Sequence, residues 1–173
     1  MAILKVARLG HPVIREQAAP LTVEEIKSRE FQELIEKLLS KTDHTILMVG
    51  LKRARKMTAP FSSSPRVVNL AEALSLRELI VLLSQCHLFV GNDSGPSHLA
   101  HALGIPAVVI ASGTNKYEQW GIWNPPSKIV KHSVPCSPCH LNRCNVDGHP
   151  CLSRISSEEV FEAVRGLMSE VNV

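Results

Sequence analysis

The chain has 173 residues, enough for one domain with a sound core and too few for two full α/β domains. Its apolar content of 45%, charged content of 20% and net charge of +3 are ordinary for a globular protein. Four Phe, two Trp and one Tyr give no platform for stacking bases, which argues against nucleic-acid binding. No apolar run approaches the roughly 20 residues of a transmembrane segment.

From residue 30 onward, helix and strand signals alternate along the chain. Apolar patterns predict helices at 30–40, 76–85 and 158–168, and strands at 45–49, 66–70, 88–91, 106–111 and 128–130. Ser75 and Glu78 have the spacing of a capping box, and Ser156 or Ser157 can cap the last helix. Alternating strands and helices indicate a parallel sheet covered on both faces, so we expect an α/β, doubly wound, Rossmann-like fold.

The segment 91–106 joins two of these strands and reads Gly-Asn-Asp-Ser-Gly-Pro-Ser-His-Leu-Ala-His-Ala-Leu-Gly-Ile-Pro. Pro96 suits the first turn of a helix, and Gly104 suits the left-handed position that ends one. Gly95 removes a side chain at the point where a ligand would approach. Backbone N–H groups at 95–98 and the helix dipole predict an anion site at a strand's carboxyl end, where a phosphate would bind.

The same residues resemble a family signature. Asn-Asp-Ser-Gly-Pro-Ser-His at 92–98, followed by Ala-Leu-Gly-Ile-Pro at 102–106, is similar to the signature of glycosyltransferase family nine. That family includes the heptosyltransferases that build the lipopolysaccharide inner core. The similarity also touches residues 68–70, 75–79, 120–121 and 135–139, and we place it at about residues 31–170. Family members are GT-B enzymes, and this signature belongs to their C-terminal, sugar-nucleotide-binding domain.

The resemblance implies that residues 31–173 form an incomplete GT-B-type domain that binds a nucleotide diphosphate sugar similar to ADP-heptose. The glycosyl group would pass to a lipopolysaccharide-type acceptor. That step needs an N-terminal domain that supplies the acceptor site and the catalytic base, so we assign no catalytic residue here and expect the isolated chain to be inactive. No metal or other cofactor is required if a helix N-terminus and basic groups stabilise the departing nucleotide diphosphate.

Pattern and resemblance together assign the donor site to eight residues: Asp93, Ser94, Gly95, Pro96, Ser97, His98, Thr114 and Lys116. Asp93 would accept hydrogen bonds from sugar hydroxyls, because a carboxylate repels a diphosphate. His98 would donate to a phosphate oxygen, whereas His101 is expected to be a helix-surface residue. Structural alternatives remain, since Ser94 can simply cap the helix and Asp93 can form an Asx-turn.

The loop after the strand at 106–111 supplies the secondary candidates. Thr114 and Lys116 follow the strand end directly and are placed for phosphate contact. In the resembled family this region lines the nucleotide pocket, so Tyr117, Trp120 and Trp123 can pack against base or ribose. Ordinary packing of the loop against the core is the alternative.

Four of the five cysteines lie in one loop, at Cys136, Cys139, Cys144 and Cys151. The first pair has zinc-knuckle spacing, and four thiolates could form a closed tetrahedral zinc site. Similar cysteine-rich loops occur in the family, whose transfer chemistry needs no metal, so we assign free thiols and no metal site. The alternative function is a non-catalytic binding module that zinc staples together through this loop.

Two regions depart from the family pattern. Between the strands at 45–49 and 66–70, Pro60 and Pro65 leave little room for a crossover helix, which looks shortened. Residues 1–28 resemble the start of a peptide deformylase, but the chain lacks the His-Glu-x-x-His motif of those enzymes. We therefore interpret residues 1–30 as an extension without a domain of its own, produced by a fused or rearranged reading frame.

The N-terminus carries no recognisable secretory signal. Its apolar residues are interrupted by Lys5, Arg8 and His11. Cysteines crowded into one loop, rather than spread as a disulfide framework, fit a reducing compartment. We therefore expect a cytoplasmic protein, and peripheral association with the inner face of the membrane stays open.

Overall fold

The chain alternates helices with short parallel strands. The structure, a computed structural model, describes residues 29–51, 59–61, 63–117, 126–141 and 143–172. Within these ranges the elements are α1 (Arg29–Lys41), β1 (Ile46–Met48), a 3-10 helix (Ala59–Phe61), β2 (Val67–Asn69), α2 (Leu76–Leu83), β3 (Phe89–Asn92), α3 (Gly95–Ala102), β4 (Ala107–Ile110), β5 (Ser127–Val130), α4 (Pro150–Ser153) and α5 (Ser157–Val171). No helix in these ranges is long and apolar enough to cross a membrane.

The strands form two parallel sheets. β1 pairs with β2, with Ile46 opposite Val67, and the second sheet has the order β3–β4–β5. The predicted parallel α/β architecture is thereby confirmed. The sheet is nevertheless divided, because no strand in the described ranges pairs with the remaining edge of β1 or of β3.

Helices cover both faces of the three-stranded sheet. Val108 and Val109 in β4 are fully buried on opposite faces, as expected for the central strand of a covered parallel sheet. Val108 packs with Val164 and Leu167 of α5, and Val109 packs with residues of α2 and α3. The carboxyl ends of β3, β4 and β5 therefore meet at one edge of a well-packed layer.

Helix α1 connects the two sheets. Leu34 belongs to the apolar cluster around Val108 and α5, whereas Ile35 packs with Met48 and Val67 of the two-stranded sheet. Leu38 packs against both clusters. The apolar face of α1 thus packs against two neighbouring layers rather than one.

The predicted N-cap residues of two helices are confirmed. The Ser75 amide donates to Glu78 Oε2 at 2.7 Å, and the Glu78 amide donates to Ser75 Oγ at 3.3 Å, which completes the predicted capping box of α2. The same arrangement, with Ser156 as the cap, begins α5. The Ser75 hydroxyl, which donates to Glu78 Oε2 at 2.6 Å, and then the Ser75 amide lower the pKa of Glu78.

The C-terminus of α3 depends on a glycine. Gly104 has a φ of 75°, its amide donates to His101 O at 2.9 Å, and the Ile105 amide donates to Ala100 O at 2.9 Å. These two bonds form a Schellman motif, in which the left-handed position favours glycine. The chain consequently turns at once into β4.

The element bounds differ from the sequence predictions by a few residues at each end. Strands β1, β2 and β4 are shorter than predicted, β3 is shifted by one residue, and β5 begins one residue earlier. Helix α5 extends to Val171 because its apolar face continues beyond residue 168 to meet the core. Of the crossover predicted to be short, residues 52–58 and 62 lie outside the described ranges. The deformylase-like residues 1–28 also lie outside them.

Candidate functional site

The turn between β3 and α3 lies at the carboxyl edge of the sheet. Asp93 follows β3 directly, and its amide donates to Ile110 O at 3.0 Å, extending the pairing with β4 by one residue. Only Asp93 and Ser94 separate the strand from the helix. The N-terminus of α3 is therefore at the edge where ligands bind in open α/β sheets.

Two serines fix the shape of this turn. Ser97 Oγ accepts from the Ser94 amide at 3.0 Å and donates to Ser94 O at 2.7 Å, and the residue is fully buried. Ser94 Oγ donates to Asn92 O at 3.1 Å instead of bonding to the helix amides. Ser94 is thus the N-cap residue by position, while its hydroxyl stabilises the turn, and Ser97 can act on a ligand only indirectly.

Fewer amides are available at this helix start than the sequence suggests. The amides of Ser97 and His98 both point at Ser94 O, at 3.1 and 3.3 Å, and Pro96 has no N–H. The Gly95 N–H makes no hydrogen bond to another described residue. The predicted anion site at 95–98 is accordingly reduced to one N–H group and the positive end of the helix dipole.

Gly95 leaves open space in front of the helix. A Cβ atom added to it would meet no atom of the described residues within 4 Å. Gly95 also does not have the positive φ angle that Gly50, Gly104 and Gly148 have. Neither packing nor backbone geometry in the described residues requires a glycine here. An open space of this kind is consistent with a ligand that occupies it.

Asp93 and His98 form a pair on the exposed side of this turn. His98 Nε2 lies 3.4 Å from Asp93 Oδ1, and the side chains are 50% and 22% exposed respectively. Both therefore remain accessible to a ligand. His101, which the sequence predicts to be a helix-surface residue, is partly exposed, while its Nδ1 atom is buried and has no hydrogen-bond partner among the described residues.

A cleft of about 500 Å³ continues from the ends of β4 and β5. Its lining combines hydroxyl, amide and cationic groups, contributed by Ser112, Gly113, Asn115, Lys116, Tyr117, Lys131, His132, Ser133, Ser137 and Pro138. Lys131 Nζ lies 5.6 Å from the centre of the Tyr117 ring, within cation–π range. With two lysines in its lining, the cleft favours an anion.

One predicted site residue, Lys116, lines this cleft. Thr114 does not line it, but Thr114 Oγ1 shares a hydrogen bond of 2.8 Å with Ser112 Oγ, and Ser112 is a lining residue. Lys131, His132 and Ser133 also line the cleft and were not predicted from the sequence. The available signal was their position directly after β5, at the same sheet edge as the other candidates.

His132 is held in place by helix α5. Its Nε2 atom lies 2.9 Å from Glu159 Oε1, and Glu159 Oε2 accepts from the Ser156 amide at 2.8 Å. The Ser156 amide, together with smaller contributions from the Ser156 hydroxyl and His132, lowers the pKa of Glu159. One carboxylate therefore both begins α5 and positions a side chain of the cleft.

The cysteine loop forms the far wall of the cleft. The amides of Cys139 and His140 donate to Gly113 O and Thr114 O at 3.2 and 2.8 Å. A Cβ on Gly113 would lie 3.2 Å from both Cys151 Cβ and Ser137 Cβ, so glycine is what lets the loop approach this closely. No residue of this loop was predicted from the sequence to belong to the donor site.

The cysteines themselves are free thiols. Cys136, Cys139 and Cys144 are partly exposed and Cys151 is buried. In the ranges that the structure describes, no three His, Cys, Asp or Glu residues come close enough to hold a metal ion. Trp120 and Trp123, predicted near the nucleotide pocket, lie outside those ranges.

Most of the chain matches a known protein family. The profile of glycosyltransferase family 9 (heptosyltransferase) matches residues 26–149, more than half of the chain. The chain belongs to glycosyltransferase family 9. The resemblance drawn from residues 92–106 is thereby confirmed.

Proteins similar to this chain are named as heptosyltransferases. The chain is 32% identical over 104 residues to lipooligosaccharide heptosyltransferase 2 of Campylobacter jejuni serotype O:2, covering 60% of this chain and 32% of that protein. It is 32% identical over 103 residues to lipopolysaccharide heptosyltransferase 1 of Campylobacter coli, covering 60% and 29%. The chain thus matches about a third of the length of these relatives.

A solved family 9 structure shares the fold. The glycosyl transferase family 9 protein of Veillonella parvula DSM 2008 superposes with a TM-score of 0.67 at 19% identity, covering 90% of this chain and 44% of that one. At this identity the match shows the fold, which is GT-B-like. The predicted fold class is confirmed.

Proposed function

We propose that this family 9 chain is a donor-binding module, in which residues 31–173 hold a nucleotide diphosphate sugar for transfer to a lipopolysaccharide-type acceptor. Gly95 carries the proposal, because it leaves a space in front of the α3 N-terminus that nothing in the described fold requires. That space lies at the carboxyl edge of the sheet, one strand away from a cationic cleft. The named heptosyltransferases among the relatives support an ADP-heptose-like donor.

Two groups of side chains bind different parts of the donor. The Gly95 N–H, the α3 dipole and His98 bind a phosphate, and Lys116 and Lys131 offset the remaining charge of the diphosphate. Asp93, on the accessible side of the turn, accepts hydrogen bonds from sugar hydroxyls. No metal takes part, since these groups stabilise the leaving nucleotide diphosphate as it departs.

The remaining candidates position these groups. Ser94 and Ser97 lock the turn through their hydroxyls, Pro96 starts the helix, and Thr114 holds the Ser112 hydroxyl at the cleft. The acceptor binds only when the other GT-B domain is present. We place the reaction in the cytoplasm, at the inner face of the membrane where such an acceptor would be presented.

The zinc-stapled module is the weaker function. Main-chain bonds from Cys139 and His140 fasten the cysteine loop to the cleft without a metal ion. Metal analysis separates the two functions: we expect substoichiometric zinc at most in the purified protein. One tightly held zinc per chain, with unfolding on chelation, would favour the module.

Titration of the chain with ADP, and separately with an ADP-sugar, tests the donor site. We expect weak, saturable binding that Gly95→Leu weakens at least about tenfold, a difference of roughly 1.4 kcal/mol, because the side chain fills the phosphate space. Gly166→Leu is the matched control, since Gly166 also has open space around a Cβ position but lies in α5. Thermal melting of both variants checks that they fold.

Unchanged affinity in a folded Gly95→Leu variant would refute the placement at α3. Equal loss in Gly166→Leu would show that the effect is not local to the turn.

A further inference from the structure

His132 lines the cationic cleft, and one of its two ring nitrogens is already engaged. Its Nε2 atom lies 2.9 Å from Glu159 Oε1, and the histidine side chain is 35% exposed. Among the described residues, none forms a hydrogen bond with the second ring nitrogen, Nδ1. Nδ1 is therefore the polar atom of His132 that is left to contact a ligand in the cleft.

The charge of Glu159 determines which ring nitrogen of His132 carries a hydrogen atom. The Ser156 amide is the largest of the influences that lower the pKa of Glu159, so this carboxylate is ionised at neutral pH and can only accept hydrogen bonds. Nε2 must therefore donate, and a neutral His132 then has a lone pair and no hydrogen at Nδ1. That lone pair repels phosphate oxygens, whereas protonation turns Nδ1 into a donor and makes the ring positive.

Charges of both signs act on His132 from the elements around it. Glu159 of α5 favours the protonated ring, whereas Lys116 and Lys131 line the same cleft and oppose a third positive charge. A diphosphate in the cleft would offset both lysines and so remove this opposition. Anion binding and protonation of His132 therefore favour each other.

The other groups near His132 leave this balance unchanged. The second carboxylate in the first turn of α5, Glu158, forms an ion pair with Lys37 of α1 instead. The lining residues that come from the cysteine loop, Ser137 and Pro138, are uncharged. Tyr117 is a further titratable lining residue, but a phenol ordinarily loses its proton only near about pH 10.

We propose that His132 is a further phosphate-binding residue of the donor site, and that it binds the diphosphate as an imidazolium whose proton is taken up from solvent when the donor binds. The inference rests on the proposed donor site. Nδ1–H donates to a phosphate oxygen while Nε2–H stays on Glu159, which acts as a positioning residue. Release of the ligand reverses the proton uptake. Donor affinity should therefore fall as the pH rises from about 5 to 8, the range in which histidines lose their charge.

Calorimetric titration of the full chain with ADP-glucose tests this linkage. Both phosphates of this ligand are esterified, so its charge is constant over the range, whereas the terminal phosphate of ADP titrates near about pH 6. We expect binding at pH 6 to be roughly three- to tenfold tighter than at pH 8, the effect of one partly exposed, charge-assisted hydrogen bond. Titrations in buffers of different ionisation enthalpy measure the protons taken up.

Two substitutions of His132 have opposite expected effects. His132→Asn removes the titrating ring, so binding should weaken at pH 6, approach that of the unaltered chain at pH 8, and take up fewer protons. His132→Lys supplies a permanent charge, so its affinity should fall less between pH 6 and pH 8 than that of the unaltered chain. His98 also belongs to the proposed donor site, and comparison of each variant with the unaltered chain removes its contribution. Thermal melting checks that the variants fold.

Glu159→Gln tests the positioning role, and His87→Asn is the matched control. Glutamine keeps an acceptor for Nε2 but removes the charge that favours the imidazolium, so the tighter binding should appear only at lower pH than in the unaltered chain. A purely structural role of Glu159 would not move this pH dependence. His87 is exposed and precedes β3, at the amino edge of the sheet and away from the cleft. His87→Asn should leave affinity and proton uptake unchanged.

The failure of this inference and that of the donor site can be told apart. Binding that Gly95→Leu abolishes but His132→Asn leaves unchanged at every pH would overturn the role of His132 alone. A loss in His132→Asn that is equal at all pH values would also overturn it, because a neutral hydrogen bond or a packing defect gives that result. No binding of ADP-glucose at any pH would overturn the donor site together with this inference.

Discussion

Asp93 in the turn and His98 in the helix that follows it can present opposite chemistries to one ligand. Their side chains lie 3.4 Å apart, yet both keep exposed surface at the edge of the sheet. The carboxylate accepts hydrogen bonds and repels phosphate, whereas the imidazole can donate to phosphate. The pair therefore marks the border between the sugar and the diphosphate in the proposed donor site.

Asp93→Asn should separate these two roles. We expect the variant to lose several-fold in affinity for an ADP-sugar and to bind ADP as well as before or slightly better, because a repelling charge is removed. Calorimetric titration with both ligands measures the difference. Equal losses for the two ligands would contradict a sugar contact at Asp93.

At this scale the sequence predicts which residues meet but not how their atoms pair. Ser94 can bond either to helix amides or to the preceding carbonyl, and both options satisfy local preferences. In the structure the Ser97 and His98 amides already donate to Ser94 O, which leaves the Ser94 hydroxyl to donate to Asn92 O. His132 and Lys131 were missed because their strand, β5, is short and its end is not marked by a motif.

Glu159 couples a secondary-structure element to the cleft. It completes the capping box of α5 and contacts His132 at 2.9 Å. Its lowered pKa means that the folded state binds this proton less readily than the unfolded state. The resulting stability is fully present above the ordinary glutamate pKa of 4.5 and is lost as pH falls through the folded-state value.

In Glu159→Gln, the free energy of unfolding should therefore decrease less steeply as the pH falls. At pH 7 we expect the variant to be less stable by at most about 1 kcal/mol, the size of a helix-cap interaction. As the pH falls below the lowered pKa of Glu159, the urea midpoint of the variant should converge with that of the unaltered chain. Glu162→Gln, elsewhere on the same helix, is the control. A constant difference at all pH values would contradict the linkage.

Elements with strong local signals were predictable from the sequence. The capping boxes at Ser75 and Ser156, the left-handed Gly104 and all five strands followed from residue preferences that agree with their tertiary setting. The split of the sheet was not predictable, because apolar periodicity indicates that a strand is buried without saying which strand lies beside it. The double packing of α1 on two layers escaped prediction for the same reason.

The molecule as a whole is a family 9 fold that matches about a third of the length of its relatives. Its proposed donor site lies along one sheet edge, from the α3 N-terminus to the wall formed by the cysteine loop. The proposed acceptor site and catalytic base would belong to the other GT-B domain. Binding and catalysis should thus be separable in this chain.

We predict that the chain alone does not transfer the sugar. Orientation of the acceptor and an aligned base can together account for many orders of magnitude in rate, and the proposed site supplies neither. An assay of the pure chain with nucleotide-activated heptose and a truncated lipopolysaccharide acceptor should give turnover close to background. Robust turnover without a partner protein would contradict the separation of binding from catalysis.

Donor binding at the α3 turn is the central claim, and amide chemical shifts test it most directly. In a ¹⁵N-labelled chain titrated with an ADP-sugar, we expect concentration-dependent shifts for the amides of residues 93–98, 113–116 and 131–133. The amides in the middle of α1 and α5 should remain unchanged. Shifts confined to other surfaces, or none at millimolar ligand, would contradict the claim.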